Sequence, residues 1–378
     1  MSAEQKHAVP ARADESQPPL DVVVIGGSQT GLAVGHYLQR AGLRFVILEA
    51  GPDSGHVWRS RWDSLTLFTP RSYSGLPGMP FPSAGDSYPS KDDTARYLEQ
   101  YALAFDLPIR YESRVTSLTE GDTGYTVATE RDRVIARQVI VATGPFQQPY
   151  VPPLGAAADP GLVQLHSSAY RSPDQLPNGT VVVVGGGNSG FQIAKELAAT
   201  RRVELSIGKR MVALPQRLLG RDLFWWLTRL GLIGRNVETR MGRRMSQRDF
   251  LIGSSRVDAR RAGVNLRPRL ERIDGRRAVF ADGTDLTIDA VIWSTGYRLD
   301  YPWMNVSRVL DEHGTPLHRR GVTAAPGLYF LGLSWQYTRG SALIGFVQED
   351  ARFIAGAVEA FAGQASTGIP TTAGRRAA

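Results

Sequence analysis

The regular pattern of the chain begins at Asp21-Val-Val-Val-Ile25, an apolar run that meets glycine at its end. A short β-branched run without alternation reads as a strand buried on both faces. Apolar residues then recur at helical spacing from Leu32 to Ala41 and stop at Gly42, a helix-terminating residue. Arg44-Phe-Val-Ile-Leu48 is a second strand and completes a βαβ unit. The same order returns at Thr180–Val184, Gly190–Ala199 and Val203–Ile207, so one chain carries two such units. Between them, prolines at 70, 77, 80, 82 and 89 confine the stretch from Phe68 to Ser90 to loops. The pattern further predicts a helix from Asp92 to Phe105 and alternating strands near Arg114–Leu118 and Tyr125–Thr129. Buried strands are expected at Val139–Ala142, Asp289–Thr295 and Leu328–Leu333, and a last helix from about Leu343 to Phe361. The Arg-rich span from Leu218 to Ile252, with Phe224-Trp225-Trp226 inside it, follows neither periodicity.

Each βαβ unit is opened by a glycine-rich turn. The first, Gly26-Gly-Ser-Gln-Thr-Gly31, has the spacing of a dinucleotide fingerprint with Ser28 at the second glycine position. In that fingerprint the first glycine makes the turn, the second lets backbone approach a pyrophosphate, and the third lets helix pack on strand. The phosphate then sits on unpaired N–H groups at a helix N-terminus. Glu49 ends the second strand about twenty residues on, where a carboxylate binds a ribose diol and repels a 2′-phosphate. The second turn, Gly185-Gly-Gly-Asn-Ser-Gly190, carries all three glycines, Gly185, Gly187 and Gly190, with Asn188 and Ser189 between the last two. Its ribose-reading strand ends in Lys209 and Arg210 rather than an acid, which favours NADP(H) over NAD(H). The bland alternatives are a turn that only packs a helix and a solvated basic loop. The fold class this predicts is α/β, with two Rossmann-like dinucleotide-binding domains.

Composition narrows the chemistry. The 378 residues include no cysteine, which excludes a disulfide framework, a zinc ribbon and an internal dithiol relay. The net charge is +8, but the arginines are scattered rather than clustered in one long block, so nucleic acid is not an expected partner. No apolar run is long enough to span a bilayer. The N-terminal stretch has no apolar signal region and reads as a disordered leader over residues 1–20, with a disordered tail over 363–378. A cytoplasmic protein is the expectation. No group of side chains has metal-ligand spacing.

With both turns in place the chain resembles a class B flavin-containing monooxygenase, and most of all the short bacterial members of that family. Gly55-His-Val-Trp-Arg59 is similar to the family's Gly-Gly-x-Trp segment near the flavin. Ala142-Thr-Gly144 and Ser294-Thr-Gly-Tyr297 resemble its two crossover segments. His166-Ser-Ser-Ala-Tyr170 resembles the end of the signature Phe-x-Gly-x-x-x-His-x-x-x-Tyr, whose front half here reads Pro160-Gly-Leu. The resemblance implies FAD at the first turn, held by Gly26, Ser28, Gly31, Glu49, Trp58, Arg59, Thr143, Gly144 and Gly296. It implies NADPH at the second, held by Gly185, Gly187, Asn188, Ser189, Gly190, Lys209 and Arg210. His166 and Tyr170 would hold the domain junction, sharing a face if they lie on a helical turn. An FAD-binding domain made of residues 21–155 and 286–362, with an NADPH-binding domain inserted at 156–285, is expected.

The implied activity is oxygenation of a soft nucleophile, such as an amine, sulfide or indole-like small molecule, with O2 and a flavin C4a-hydroperoxide. No protein nucleophile is required. Tyr170, where Baeyer–Villiger relatives carry Trp, points to N- or S-oxygenation. A Baeyer–Villiger enzyme, an NADPH oxidase or diaphorase, and a non-catalytic flavin redox sensor stay open, as does pairing into a homodimer.

Overall fold

The computed structural model of the chain describes residues 18–367, apart from 84–86, 210 and 249. Strand β1 (Leu20–Ile25) runs into the first glycine-rich turn, helix α1 (Gln29–Arg40) and strand β2 (Phe45–Leu48). A short helix α2 (His56–Arg59) and the proline-rich loops lead to helix α3 (Lys91–Ala104). That helix starts on a capping box in which the Ser90 hydroxyl and the Asp93 carboxylate each satisfy the other's backbone N–H. Strand β3 (Ile109–Arg110) joins β2 in parallel. A meander follows, of β4 (Val115–Gly121), β5 (Gly124–Thr129) and β6 (Arg133–Val141). Strand β6 serves twice: its start pairs antiparallel with β5, and its end pairs parallel with β1.

After β7 (Gln148–Pro149) the chain enters a second unit with β8 (Val163–His166), β9 (Thr180–Val184), α4 (Asn188–Leu197) and β10 (Arg202–Ser206). Next come β11 (Val212–Leu214), the hairpin β12 (Arg217–Leu218) and β13 (Arg221–Asp222), α5 (Leu223–Arg229), α6 (Arg240–Ser246) and β14 (Phe250–Ile252). Helix α7 (Arg256–Arg261) and β15 (Asn265–Arg267) return to the sheet. The meander β16 (Leu270–Asp274), β17 (Arg277–Phe280), β18 (Asp285–Thr287) covers it, and β19 (Ala290–Trp293) completes the parallel order β15-β10-β9-β19-β8. The chain then crosses back through β20 (Tyr297–Arg298) to β21 (Met304–Asn305), β22 (Leu328–Phe330) and α8 (Gln348–Thr367). Both β21 and β22 rejoin the first sheet, beside β4 and β6 respectively.

The two units share one plan. In the first, one sheet face is covered by α1, α3 and α8 through Leu32, Leu38, Tyr101 and Ile354, and the other by Tyr125, Val127 and Tyr301. In the second, α4 and α7 cover one face through Phe191, Leu197 and Ala259, and the β16–β18 meander covers the other through Ile273 and Phe280. The central strands, Val22–Val24 and Val181–Val183, are fully buried, as an apolar run without alternation requires.

Several expectations shift. Strand β19 pairs with both β8 and β9, so the chain leaves the second unit after Trp293 rather than at 286. The return is marked by β7 pairing antiparallel with β20, which lays the two crossovers side by side. Leu20 already belongs to β1 and α8 reaches Thr367, so the regular structure extends past both expected ends; residues 1–17 and 368–378 lie outside the described residues. The last helix begins at Gln348, not Leu343, because Thr338 caps a 3-10 turn over Arg339–Ala342 first.

Candidate functional site

At the first turn the geometry explains each glycine. Gly26 sits at φ +108°, a left-handed conformation open to glycine, and a Cβ on it would lie 2.7 Å from the Ala142 carbonyl oxygen. A Cβ on Gly31 would lie 1.9 Å from the Gly26 carbonyl oxygen, so only glycine lets α1 close on the turn. Ser28, the N-cap of α1, makes no side-chain capping bond, and no acid occupies the first helical turn. The N-terminal N–H groups of α1 are thus left for an anion. Glu49 is 7 % exposed and accepts from the Gly27 N–H at 2.6 Å and the Gly51 N–H at 2.7 Å. It therefore ties the strand-β2 end to the turn while keeping acceptor capacity for a diol.

The second turn repeats this arrangement. Gly185 lies at φ +128°, and a Cβ on Gly190 would sit 2.0 Å from the Gly185 carbonyl oxygen. Gly187 faces open space, with nothing within 4 Å of a Cβ placed on it. The buried Ser294 hydroxyl, beside Gly185 and Gly190, has no hydrogen-bond partner. The residues at this turn thus suit a phosphate-bearing ligand: an open face at Gly187 and a hydroxyl with hydrogen-bonding capacity to spare. Asn188 is occupied otherwise: its side-chain oxygen accepts the Ile252 N–H at 3.2 Å and so fastens β14 to the turn. Ser189 follows it in the first turn of α4. Lys209 is exposed and its carbonyl lies near Gly186; Arg210 falls outside the described residues. A cavity of about 490 Å³ opens beside this turn, lined by Gly186, Ile207, Met211 and Arg256.

The units meet at the two crossovers. Thr143 and Gly144 follow β6, and both accept from the Gln147 side-chain amide, at 3.0 and 2.9 Å. Gly144 and Gly296 hold positive φ of +69° and +83° with open space around them. His166, buried at the end of β8, contacts the Gly296 carbonyl through Nε2 at 3.0 Å, while Nδ1 accepts the Ser168 backbone N–H at 3.1 Å. Those partners assign the proton to Nε2 and keep the ring neutral, and burial lowers its pKa in the same sense. Tyr297 stands edge-on to His166 with ring centroids 5.0 Å apart, and Arg61 donates to its hydroxyl at 2.6 Å. Beside them a cavity of about 370 Å³ lies between the crossovers and the segment after β22, lined by Phe146, Tyr297, His318 and Trp335.

Not every expected residue converges. His166 and Tyr170 diverge: Tyr170 is fully buried in the core of the second unit and donates to Glu196 of α4 at 2.9 Å. The chain between them is a turn leaving a strand, not a helix whose face both could share. Trp58 donates to the Gln29 side chain at 3.1 Å, so it braces the first turn. Arg59 makes ion pairs with Asp53 and Glu99, which clamp α2 to α3. Trp62, buried among second-unit core residues, has an indole N–H without a partner at the junction.

Sequence reasoning passed over three residues. Gly332, after β22, packs so closely on α1 that a Cβ would lie 2.6 Å from the Thr30 hydroxyl. Its signal was present, since a glycine follows a buried strand here as at Gly144. Arg256 and Arg269, near Gly186 and Gly208, come from remote elements and leave no mark in local spacing.

Two glycine-rich turns of like geometry, each joining a buried strand to a helix and both feeding one junction, define a protein with two dinucleotide-binding folds. The chain belongs to the pyridine nucleotide-disulphide oxidoreductase family, whose model it matches over residues 23–215. It is 45 % identical to a CzcO-like oxidoreductase of Geobacillus kaustophilus, covering 89 % of this chain and 97 % of that one. Identity to a probable indole-3-pyruvate monooxygenase of Arabidopsis thaliana is 27 %, over 78 % and 79 % of the two chains. Among solved structures, a flavin-containing monooxygenase from Stenotrophomonas maltophilia superposes with a TM-score of 0.77 at 30 % identity, over 92 % of this chain and all of that one. The resemblance to flavin monooxygenases read from the motifs thus holds. The dithiol relay in the family's name is absent, because the chain has no cysteine.

Proposed function

We propose that this chain is an NADPH-consuming, FAD-dependent monooxygenase that transfers one oxygen atom from O2 to a soft nucleophile, an amine, a sulfide or an indole-like molecule. The observation that carries this reading is the pairing of two dinucleotide turns, each closed on its strand by a glycine that admits no side chain, with a junction that holds no thiol. Electrons arriving at that junction have no dithiol to leave through, so a diffusible acceptor must take them. Bound FAD and NADPH would supply hydride transfer and the activation of dioxygen.

The residues supply position and shielding. Gly26, Gly31 and the free N-terminus of α1 would seat the FAD pyrophosphate, with Glu49 on its ribose. Gly185, Gly187, Gly190 and the Ser294 hydroxyl would seat that of NADPH. Lys209, with Arg210 after it in sequence, would meet the 2′-phosphate. Neutral His166 holds the Gly296 carbonyl in place, and Tyr297, Phe146 and Arg61 form a wall over the crossovers. With cofactor and substrate bound, these rings would limit water at a site where reduced oxygen is otherwise lost as peroxide.

The test is a balance sheet of NADPH oxidised, O2 consumed, peroxide released and product formed, run on paired panels of thioethers or amines and ketones. N- or S-oxides formed in step with NADPH support the reading. Esters or lactones without heteroatom oxides overturn the substrate class, and stoichiometric peroxide with every substrate identifies an oxidase. Replacing both Lys209 and Arg210 with Ala is expected to erase a preference for NADPH over NADH; an unchanged ratio removes the cofactor argument.

A further inference from the structure

The β12–β13 hairpin and α5 break two rules at once. The hairpin tip is Leu219-Gly220, with Leu219 at φ +50° and Gly220 at φ +76°. Tight hairpin turns with two positive φ values favour Asn or Asp at the first seat, because a branched apolar side chain is disfavoured there. Yet the residue is Leu, and it is 83 % exposed. Leu218 beside it is 46 % exposed, and Leu230 beyond α5 is 58 % exposed. An apolar residue that neither packs nor suits its backbone points to a partner outside the chain.

The platform beneath is rigid. Leu223 and Phe224 on the inner side of α5 are buried, and Phe224 stacks on Phe68 and Phe346 with centroids 6.2 and 5.7 Å away. Asp222 caps α5 through the Phe224 N–H at 2.7 Å and accepts the Tyr88 hydroxyl at 2.7 Å. Half-buried Trp226 donates to the Leu218 carbonyl at 2.9 Å, which fastens the hairpin to the helix. Trp225 stands edge-on to Trp226, with the Arg221 guanidinium 5.4 Å from its ring centre.

Charge selects the partner. Residues 211–248 hold eight arginines and two acids. Asp222 is buried as the cap, and Glu238 is paired with Arg319 at 2.9 Å. What faces outward over Arg217–Leu230 is a leucine tip beside two half-buried tryptophans, with Arg217, Arg221 and Arg229 exposed in the same segment. Leucines that enter the acyl boundary, tryptophans at headgroup depth and arginines on phosphate are the pattern of an interfacial anchor. A second copy of this chain fits less well, since self-docking would bring two arginine-rich faces together.

We propose that the Arg217–Leu230 hairpin-and-helix segment docks this protein on an anionic phospholipid bilayer, with Leu218 and Leu219 inserted. The protein would lie on the membrane, because among the described residues no helix is long and apolar enough to cross it. The docking is independent of what the flavin site oxidises.

The experiment uses the full chain and sedimentation with vesicles of phosphatidylcholine alone or mixed with phosphatidylglycerol. Binding is expected to the mixed vesicles, to weaken as salt rises, and to fall at least tenfold in Leu219→Asn. Asn suits the positive φ, so that variant should melt no lower than the parent and reduce its flavin with NADPH at the same rate. Absence of binding to mixed vesicles at low salt overturns the proposal, as does equal binding by Leu219→Asn. If sedimentation velocity instead shows a dimer that Leu219→Asn dissociates, with no vesicle binding, the patch is a self-interface and the proposal is wrong.

Discussion

Replacing Gly31, Gly187 or Gly190 with Ala puts the same methyl group in place of a hydrogen at three places that the geometry treats differently. At Gly31 and Gly190 the new Cβ would lie 1.9 and 2.0 Å from a backbone oxygen. Real Cβ contacts do not fall below 3.0 Å, so the turn or the helix must give by about 1 Å. Overpacking of that kind costs about 1–3 kcal/mol, which carried into binding is roughly 5- to 150-fold in dissociation constant. A displacement of about 1 Å in a positioning element also costs on the order of 100-fold in rate. Gly31→Ala should therefore purify with little flavin and regain it only at high FAD. Gly190→Ala should keep its flavin and lose reduction by NADPH. At Gly187 the Cβ meets nothing, and the backbone, φ −83° and ψ 176°, is open to any residue. Gly187→Ala should melt like the parent, yet bind NADPH more weakly, because the methyl occupies the approach to the pyrophosphate. Flavin-to-protein ratio, melting temperature and stopped-flow flavin reduction read the three effects separately. A Gly31→Ala protein with full flavin, or a Gly187→Ala protein with unchanged NADPH affinity, would refute the reasoning.

Two further outcomes concern stability. Glu204 is fully buried on β10 and is held by Arg267 Nε at 2.7 Å, Asn265 at 3.0 Å and Arg202 at 3.1 Å. Glu204→Ala should lower stability by about 3 kcal/mol, since removing one partner strands the others, and a urea midpoint unchanged from the parent would contradict this. His36, His166 and His318 all have pKa values lowered by burial, opposed at His166 by the Gly296 carbonyl and at His318 by Asp350. The unfolded chain then binds more protons below about the ordinary value of 6.5, so stability should fall as the pH drops through 6.5 toward 5 and stay flat in this respect above it. Melting curves at stepped pH check it, and a midpoint independent of pH across that window would show that these rings protonate freely in the fold.

The framework was legible because its signals are local. A buried strand, a glycine turn and an amphipathic helix occupy consecutive residues, and Gly31 and Gly190 announce by spacing a contact the structure places at the turn. What escaped depends on distance along the chain. Arg59 reads as a cofactor ligand by its neighbour Trp58, while its ion pair with Glu99, forty residues on, leaves no local mark. Tyr170 reads as a junction residue, but Glu196 draws it into the second core. The segment from Leu218 to Ile252 showed no periodicity because its elements are short and pack on the first unit, through Phe68, Tyr73 and Phe346, as well as on each other.

The side-by-side crossovers have a consequence for how the protein is made. The first sheet stays incomplete until β22 reaches β6, with Leu328 beside Val139, and α8 cannot cover α1 before that. The second unit, by contrast, has every strand of its sheet between Val163 and Trp293. On a ribosome it can close while the first unit is still open, as domains fold when their own residues have emerged. Once closed, it holds Gln148 and Arg298 as pairing partners, so a loop of some 150 residues is replaced by a short clasp and most of its closure entropy is already spent. The inserted unit would then serve as an assembly jig for the one that encloses it. A nascent chain halted before Leu328 should protect its second sheet from protease while failing to retain flavin.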